Sequence, residues 1–445
     1  MERPQPRYHP PAGPAGGVRA TAGESMFATL RHRDFALLWT AGLISVAGDF
    51  VLLTALPLYV YELTGSALAT GGVFAASWVP RALLGSVAGV FVDRWDRKRT
   101  MVVADLLRAL VLLPLLLVGS PGLVWLVYAS RAATGTVGLF FGPAENALLP
   151  RLVGEERLVS ANALNALNNN LGRLVGPALG GLVYARWGLG PTVVLDVATF
   201  LISAGLVAAI RAPARPDRAD ESGDDASTAF GRAVAEWRDG LRLVGRDRVL
   251  MAIFVALGLG FVGEGTFEVG FSPLVIDALA IGATGAGILM SAQAVGGIIA
   301  GGLVAMASSR LSPRLLFGVG LIGLGVCDFG MTNAGSLATP GTPALVAASA
   351  FMLLAGFPVV ALNAAHYTIV QVRVADAFRG RVFGALGAVG SLATLVGLAI
   401  GGVAIDAVGV VPVLSAGAAM WIVGGVFALV RIPPGTGEPA TTPAS

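Results

Sequence analysis

Apolar residues run almost unbroken for about twenty positions at a time, twelve times along the chain. The runs fall at roughly 35–60, 68–92, 100–118, 122–144, 161–185, 190–211, 249–276, 281–307, 314–333, 343–368, 381–405 and 409–431. About 20 apolar residues in helical form span the hydrocarbon core of a bilayer. Backbone groups there have no water to bond, so only a helix bundle or a closed barrel can cross. The runs lack period-two alternation, which excludes the barrel. The pattern predicts an all-α membrane protein of twelve transmembrane helices. One long polar stretch, 212–248, divides them six and six. Its first part, ARPDRADESGDDAST, is charged and reads as flexible. Its second part sets Phe230, Val234, Trp237, Leu241 and Val244 at helical spacing, with Arg232, Arg238 and Arg242 between them. That is an amphipathic helix, lying on the membrane surface or packed on the end of the bundle. The expected organisation is a tail (1–34), a six-helix half (35–211), the central loop (212–248), a second half (249–431) and a tail (432–445).

The two halves repeat. Residues 171–182, LGRLVGPALGGL, align with 392–403, LATLVGLAIGGV, at an offset of 221. Duplicated six-helix halves around a central path are a transporter architecture.

Composition supports the membrane reading. Of 445 residues, 55% are hydrophobic and 13% charged, about half the charged share of a soluble domain. The net charge is +3, and its distribution explains it: 25 of the 30 Lys and Arg residues fall in the tails and in the loops between helices 2–3, 4–5, 6–7, 8–9 and 10–11. Arg81, Arg108, Arg131 and Arg173 lie within helices, and Arg186 stands alone in the opposite set of loops. By the positive-inside rule both termini are expected in the cytoplasm. The basic balance is therefore a topology feature and gives no ground for nucleic-acid binding. Residues 1–25 have no apolar core of a cleavable signal peptide. Cys327 has no partner for an intramolecular disulfide and reads as a small apolar group. Ala, Gly and Arg bias with a single lysine, Lys98, suggests a high-GC bacterial source and the cytoplasmic membrane. No Walker A loop occurs. Gly258, Gly260, Gly263 and Gly318, Gly320, Gly323 spell G-x-G-x-x-G inside membrane helices, where no dinucleotide site can form. No metal cluster or catalytic triad spacing is visible. The expectation is a monomeric transporter, not an enzyme, with no metal, cofactor or nucleotide, whose partners are a small-molecule substrate and the lipid bilayer.

Ionisable groups inside a membrane are costly and mark function. Asp49 in helix 1 and Glu264 in helix 7 occupy matching depths in the two halves. Glu268 follows Glu264 by four residues on the same face. A carboxyl group in such a cavity can carry a proton. The alternative is that these acids pair with Arg131 or Arg173, or close hydrogen bonds between helices. Arg131, roughly 13 Å into helix 4, points to proton coupling, to anion contact or to a structural tie. Asp105 and Arg108, three apart on helix 3, are expected to pair with each other or with the loop signature between helices 2 and 3. Asp328 shows no obvious partner, and a lone His366 reads as structural.

The loop between helices 2 and 3 reads GVFVDRWDRKR from Gly89 to Arg99. Gly89, Asp93, Arg94, Arg97, Lys98 and Arg99 match G-x-x-x-D-R-x-x-R-[KR]-[KR], and the chain thereby resembles the major facilitator superfamily. Asp96 stands where that family often has Gly. Arg131 and Gly135 resemble its R-x-x-x-G signature. Gly172, Gly176, Pro177, Gly180 and Gly181 match G-x-x-x-G-P-x-x-G-G, associated with its antiporter branch. Further phrases, PAENALLP among them, resemble its drug-exporter branch with macrolide and siderophore exporters, over about 30–430. The resemblance implies a major-facilitator-type bundle in two six-helix halves. It implies a latch from Asp93 to the start of helix 11 at Arg381. It implies proton-coupled efflux of small amphipathic molecules by alternating access. The alternative is an uncoupled or import-type facilitator, or a lipid flippase, of the same fold.

Overall fold

The computed structural model describes residues 26–92, 95–211, 226–307 and 312–436. Six helices come first: α1 (Arg33–Thr64), α2 (Ala67–Val92), α3 (Arg97–Leu112), α4 (Val124–Val153), α5 (Leu158–Trp187) and α6 (Leu189–Ala208). α7 (Ala226–Arg246) follows in the central loop. Then come α8 (Arg248–Pro273), α9 (Gly282–Ala307), α10 (Pro313–Thr332), the single turn α11 (Ala334–Leu337), α12 (Thr342–Arg373), α13 (Asp376–Val408) and α14 (Val410–Arg431). Among the described residues there is no strand. Ten helical segments are long and apolar enough to cross a membrane. With α2 and α5 they correspond to the twelve apolar runs. Several helices outlast those runs: α4 continues to Val153 and α12 to Arg373. A helix of 32 residues is about 48 Å long against a core of about 30 Å, so its polar ends project into water.

The helices before and after α7 pack by the same plan. α1 lies against α5 and α6, α2 against α4, and α3 against α4 and α6. In the second group α8 lies against α13 and α14, α9 against α12, and α10 against α12 and α14. Between groups, α5 packs on α9 and α13 on α2. A two-fold exchange of the groups maps each of these seams onto the other. The helix ends repeat it as well. Lys98 Nζ, at the start of α3, donates to the Ile210 carbonyl beyond α6 at 2.7 Å. Arg314, at the start of α10, donates to the Leu429 carbonyl in α14.

Apolar packing is uneven along the bundle axis. Away from the basic loops, one core joins both groups: Leu52, Leu56, Leu58 and Phe200 pack with Leu274, Val275, Leu289 and Met331. Toward the basic end, each group keeps its own core. Phe35, Leu38, Met101 and Leu148 belong to the first, and Ile253, Phe317, Ile369 and Val382 to the second. α7 joins the second of these cores. Val244 is 2% exposed, and a Cβ on Gly240 would stand 2.4 Å from the Arg381 carbonyl. The C-terminal half of the amphipathic helix is thus packed on the end of the bundle. The side chains of Phe230, Arg232 and Val234, with the charged stretch at 212–225, lie outside the described residues.

Candidate functional site

Two sets of ionisable side chains lie inside the bundle. The first sits between α1, α3, α4 and α6. Asp49 on α1 is within electrostatic reach of Arg108 and Arg131, and Asp196 on α6 acts on both Asp49 and Arg131. Gly48 permits this approach: a Cβ there would lie 2.2 Å from Asp196 Oδ1 and 2.2 Å from Thr199 Oγ1. Thr199 also donates to Asp196 Oδ1 at 3.0 Å. Arg131 Nε donates to Ser77 Oγ on α2 at 3.1 Å. Arg108 lies 3.8 Å from Asp105, as its spacing predicts, and between the rings of Phe141 and Phe200 at 5.2 and 5.3 Å. Ser203 donates to the other oxygen of Asp105 at 2.6 Å. Asp196 was missed in the sequence, although the reasoning that picks Asp49 applies to any acid inside an apolar run.

The second set is on α8. Glu264 and Glu268 face the first group of helices. Glu264 is within electrostatic reach of Arg173 on α5, and Trp78 Nε1 on α2 donates to Glu268 Oε2 at 3.2 Å. Asp328 on α10 lies close enough to feel Glu264 and is 8% exposed. No basic group of the second helix group comes to these acids among the described residues. The structure therefore brings Asp49 together with Arg131, and Glu264 with Glu268, and keeps the two pairs apart. His366 bonds locally through Nδ1 to the Leu362 carbonyl at 3.0 Å, and Cys327 is half-buried without a disulfide.

The glycines of α5 serve two seams. A Cβ on Gly172 would stand 2.4 Å from Val46, on Gly176 2.5 Å from Phe50, and on Gly180 2.6 Å from the Val51 carbonyl, all on α1. On Gly181 it would stand 2.3 Å from the Ala283 carbonyl of α9, and Gly287 of α9 returns the contact at the Pro177 carbonyl. The repeat in α13 does the same. Gly397 and Gly401 abut α8, and Gly402 abuts Leu68 of α2. Small residues let backbones touch without a hydrophobic drive. The motif is thus a packing device that ties α5 to its own group and to the opposite one.

This geometry is a paired-helix transporter body, and a family model described as Major Facilitator Superfamily matches residues 38–272. The chain belongs to the major facilitator superfamily. Macrolide efflux protein A of Streptococcus pyogenes is 26% identical over 378 residues, covering 84% of this chain and 90% of that protein. Multidrug efflux pump Tap of Mycolicibacterium fortuitum is 29% identical over 391 residues, covering 84% and 89%. Solved structures share the fold. The nucleoside transporter NupG matches with a TM-score of 0.72 at 15% identity, over 90% of this chain and 100% of its own. A bacterial homologue of the iron transporter ferroportin, in inward-facing state, matches with 0.70 at 15% identity, over 90% and 99%.

In this superfamily member the latch loop is partly described. Asp93 and Arg94 lie outside the described residues, and Gly89 is in the last two turns of α2. Asp96 caps α3, accepting the Arg99 N–H at 2.9 Å, so an acid in place of Gly has a local use here. Arg97 and Lys98 form the first turn of α3. Arg381 lies 3.7 Å from Asp239 of α7 and 5.2 Å over the Phe378 ring. At the opposite end Asp406, near the end of α13, accepts the Ala67 N–H at 3.1 Å and the Ser66 hydroxyl at 3.2 Å. It thereby caps α2 across the seam. Tyr61 bonds Asp277 across the same end. Neither acid stands out in the sequence: each falls just past the end of an apolar run.

Proposed function

We propose that this major facilitator protein is a secondary active exporter that exchanges protons for small amphipathic molecules by alternating access. The observation that carries it is the position of Glu264 and Glu268. They sit on one helix group and take their partners, Arg173 and Trp78, from the other. A rocking motion that parts the groups must break those contacts, so the environment of the acids changes with the state of the carrier. Proton affinity then differs between states, which is what coupling requires. Asp49 and Arg131 hold the matching charge in the first group. The efflux roles of the macrolide and multidrug relatives favour export. The glycine motif of α5 favours it by resemblance to the antiporter branch.

With the basic end in the cytoplasm, the bundle is closed toward the outside and its two groups are separate toward the inside. Substrate enters from the cytoplasm and displaces protons from the acids. The outer end then opens, releases substrate and takes up protons. α2 and α13 run antiparallel at one seam, so each helix start lies beside the other's end. Asp406 holds that seam shut outside. Asp93, leaving α2, takes the start of α13 at Arg381 when the inside shuts, and Asp239 releases Arg381 for it. The chain works as a monomer in a bacterial cytoplasmic membrane, driven by the proton gradient.

Inverted membrane vesicles test this. Acidifying their interior should drive accumulation of a macrolide such as erythromycin, and adding the macrolide should dissipate the acid interior. Accumulation that ignores the pH gradient would favour the uncoupled facilitator instead.

A further inference from the structure

A group of hydrogen-bond acceptors in the first helix group has no part in the roles above. Glu145 lies eight residues before the end of α4, roughly 12 Å from the basic end at 1.5 Å per residue. Among the described residues no basic group pairs with it. The charged group that acts on it is another acid, Asp105. Its hydrogen bond is a long one, from Asn165 Nδ2 at 3.3 Å. Asn168, one turn further along α5, donates Nδ2 to the Trp39 carbonyl at 2.8 Å. These bonds orient both amides, since only a nitrogen can face a carboxylate or a carbonyl. Each Oδ1 is left as an acceptor, buried and without a partner, and Asn168 as a whole is 4% exposed. Gly42 on α1 forms the wall. A Cβ there would stand 3.0 Å from Asn168 Nδ2 and 4.0 Å from Glu145 Oε1, so the two side chains converge on the bare face of that glycine. Trp39 is itself held, its indole N–H donating to the Leu164 carbonyl at 2.8 Å.

A carboxylate without a cation, beside two buried amide oxygens without donors, lacks one thing: a positively charged group with several N–H bonds to give. We propose that Glu145, Asn165 and Asn168 form a subsite for a protonated amine of the transported molecule. The proposal rests on the exporter reading and narrows its substrate to amphipathic amines. It sets the site at the inner end of the path, reached first by a substrate arriving from the basic end. A neutral isostere leaves the carboxylate as it was. A quaternary ammonium brings charge but no N–H.

The test is equilibrium binding to the purified full chain in detergent, with no gradient. The probes are dansylcadaverine, its neutral N-acetyl derivative and its N-trimethyl derivative, read by fluorescence anisotropy. A charge-assisted hydrogen bond to a buried acceptor predicts a preference of about 10-fold or more for the amine over the acetyl form. The trimethyl form should fall between them. Glu145→Gln should reduce the preference to within about 3-fold while keeping the acetyl affinity. Gly42→Ala keeps the carboxylate but crowds the pocket, and should weaken the amine alone. Equal binding of amine and acetyl probes by the wild type, or binding of neither, overturns the subsite. So does a preference that survives in Glu145→Gln. Vesicle export that fails while the preference holds would overturn the exporter reading and leave the subsite standing.

Discussion

The two charged centres of this transporter are built on opposite plans. In the first helix group, Asp49, Asp196 and Asp105 share the bundle interior with Arg108 and Arg131, all from the same six helices. In the second group, Glu264 acts on both Glu268 and Asp328, and Glu264 and Glu268 draw their partners across the seam. A centre whose charged partners all come from one helix group survives a rocking motion of the groups unchanged. A centre completed by the other group is remade at every cycle. Under the proposed exchange cycle, the first centre holds the fold and tunes charge, and the second senses the state of the carrier.

The sharpest way to break this comparison is to remove one acid from each centre. Asp49→Ala removes the acid that acts on both Arg108 and Arg131, and losing one partner of such a buried set costs about 3 kcal/mol or more. A drop of several degrees in thermal midpoint is expected in detergent. Glu264→Gln relieves the crowding of acids around Asp328, so its midpoint should stay unchanged or rise while coupling is lost. Equal destabilisation by the two would remove the distinction.

The glycine seams sharpen it next. Gly181→Leu forces a side chain against the α9 backbone across the groups, and overpacking costs about 2 kcal/mol. Because this strain exists only where the groups meet, it should open the outer end, seen as a longer distance between spin labels placed there on α5 and α9. Gly176→Leu puts similar strain inside one group and should lower the thermal midpoint without moving those labels.

A smaller effect is expected at the outer clasp. Asp406→Ala removes a cap contributing about 1 kcal/mol. That is roughly a five-fold shift away from the outer-closed state, readable as faster labelling of a cysteine placed near Ser66. The smallest effect lies outside both centres. Asp247 caps α8 through the Val249 and Leu250 N–H groups and meets Arg373 at 2.7 Å. Partial burial opposes its charge, but the bonds from Arg373 and from those two N–H groups outweigh burial and hold the carboxyl below its ordinary value. Its contribution is therefore present above about pH 4, the ordinary Asp range, and is lost as pH falls through the lowered value. Asp247→Ala should cost at most about 1 kcal/mol at pH 7, and the gap in thermal midpoint from wild type should close in acid.

The helix pattern was legible because a bilayer leaves the backbone no other choice. The repeat at 171–182 and 392–403 was legible for a related reason: both copies place glycines where backbones meet, and no other residue fits. Asp49, Glu264 and Arg131 stood out as charges in apolar runs. What stayed hidden depends on tertiary contact. Nothing in the run around Trp78 marks it as the donor to Glu268. Asp406 reads as an ordinary polar helix end until α2 is seen starting beside it. The amphipathic stretch admitted two placements, and only the burial of Val244 against the second group decides between them. The asparagines of α5 lowered its apolarity without showing what they face.

Proton coupling at the second centre is the central claim. Proteoliposomes holding wild type or Glu264→Gln/Glu268→Gln, with an acid interior imposed and labelled erythromycin added outside, measure it directly. The wild type should concentrate the macrolide against its gradient. The double variant should still bind and equilibrate it but never concentrate it. Gradient-driven accumulation by the double variant at the wild-type level would contradict the account.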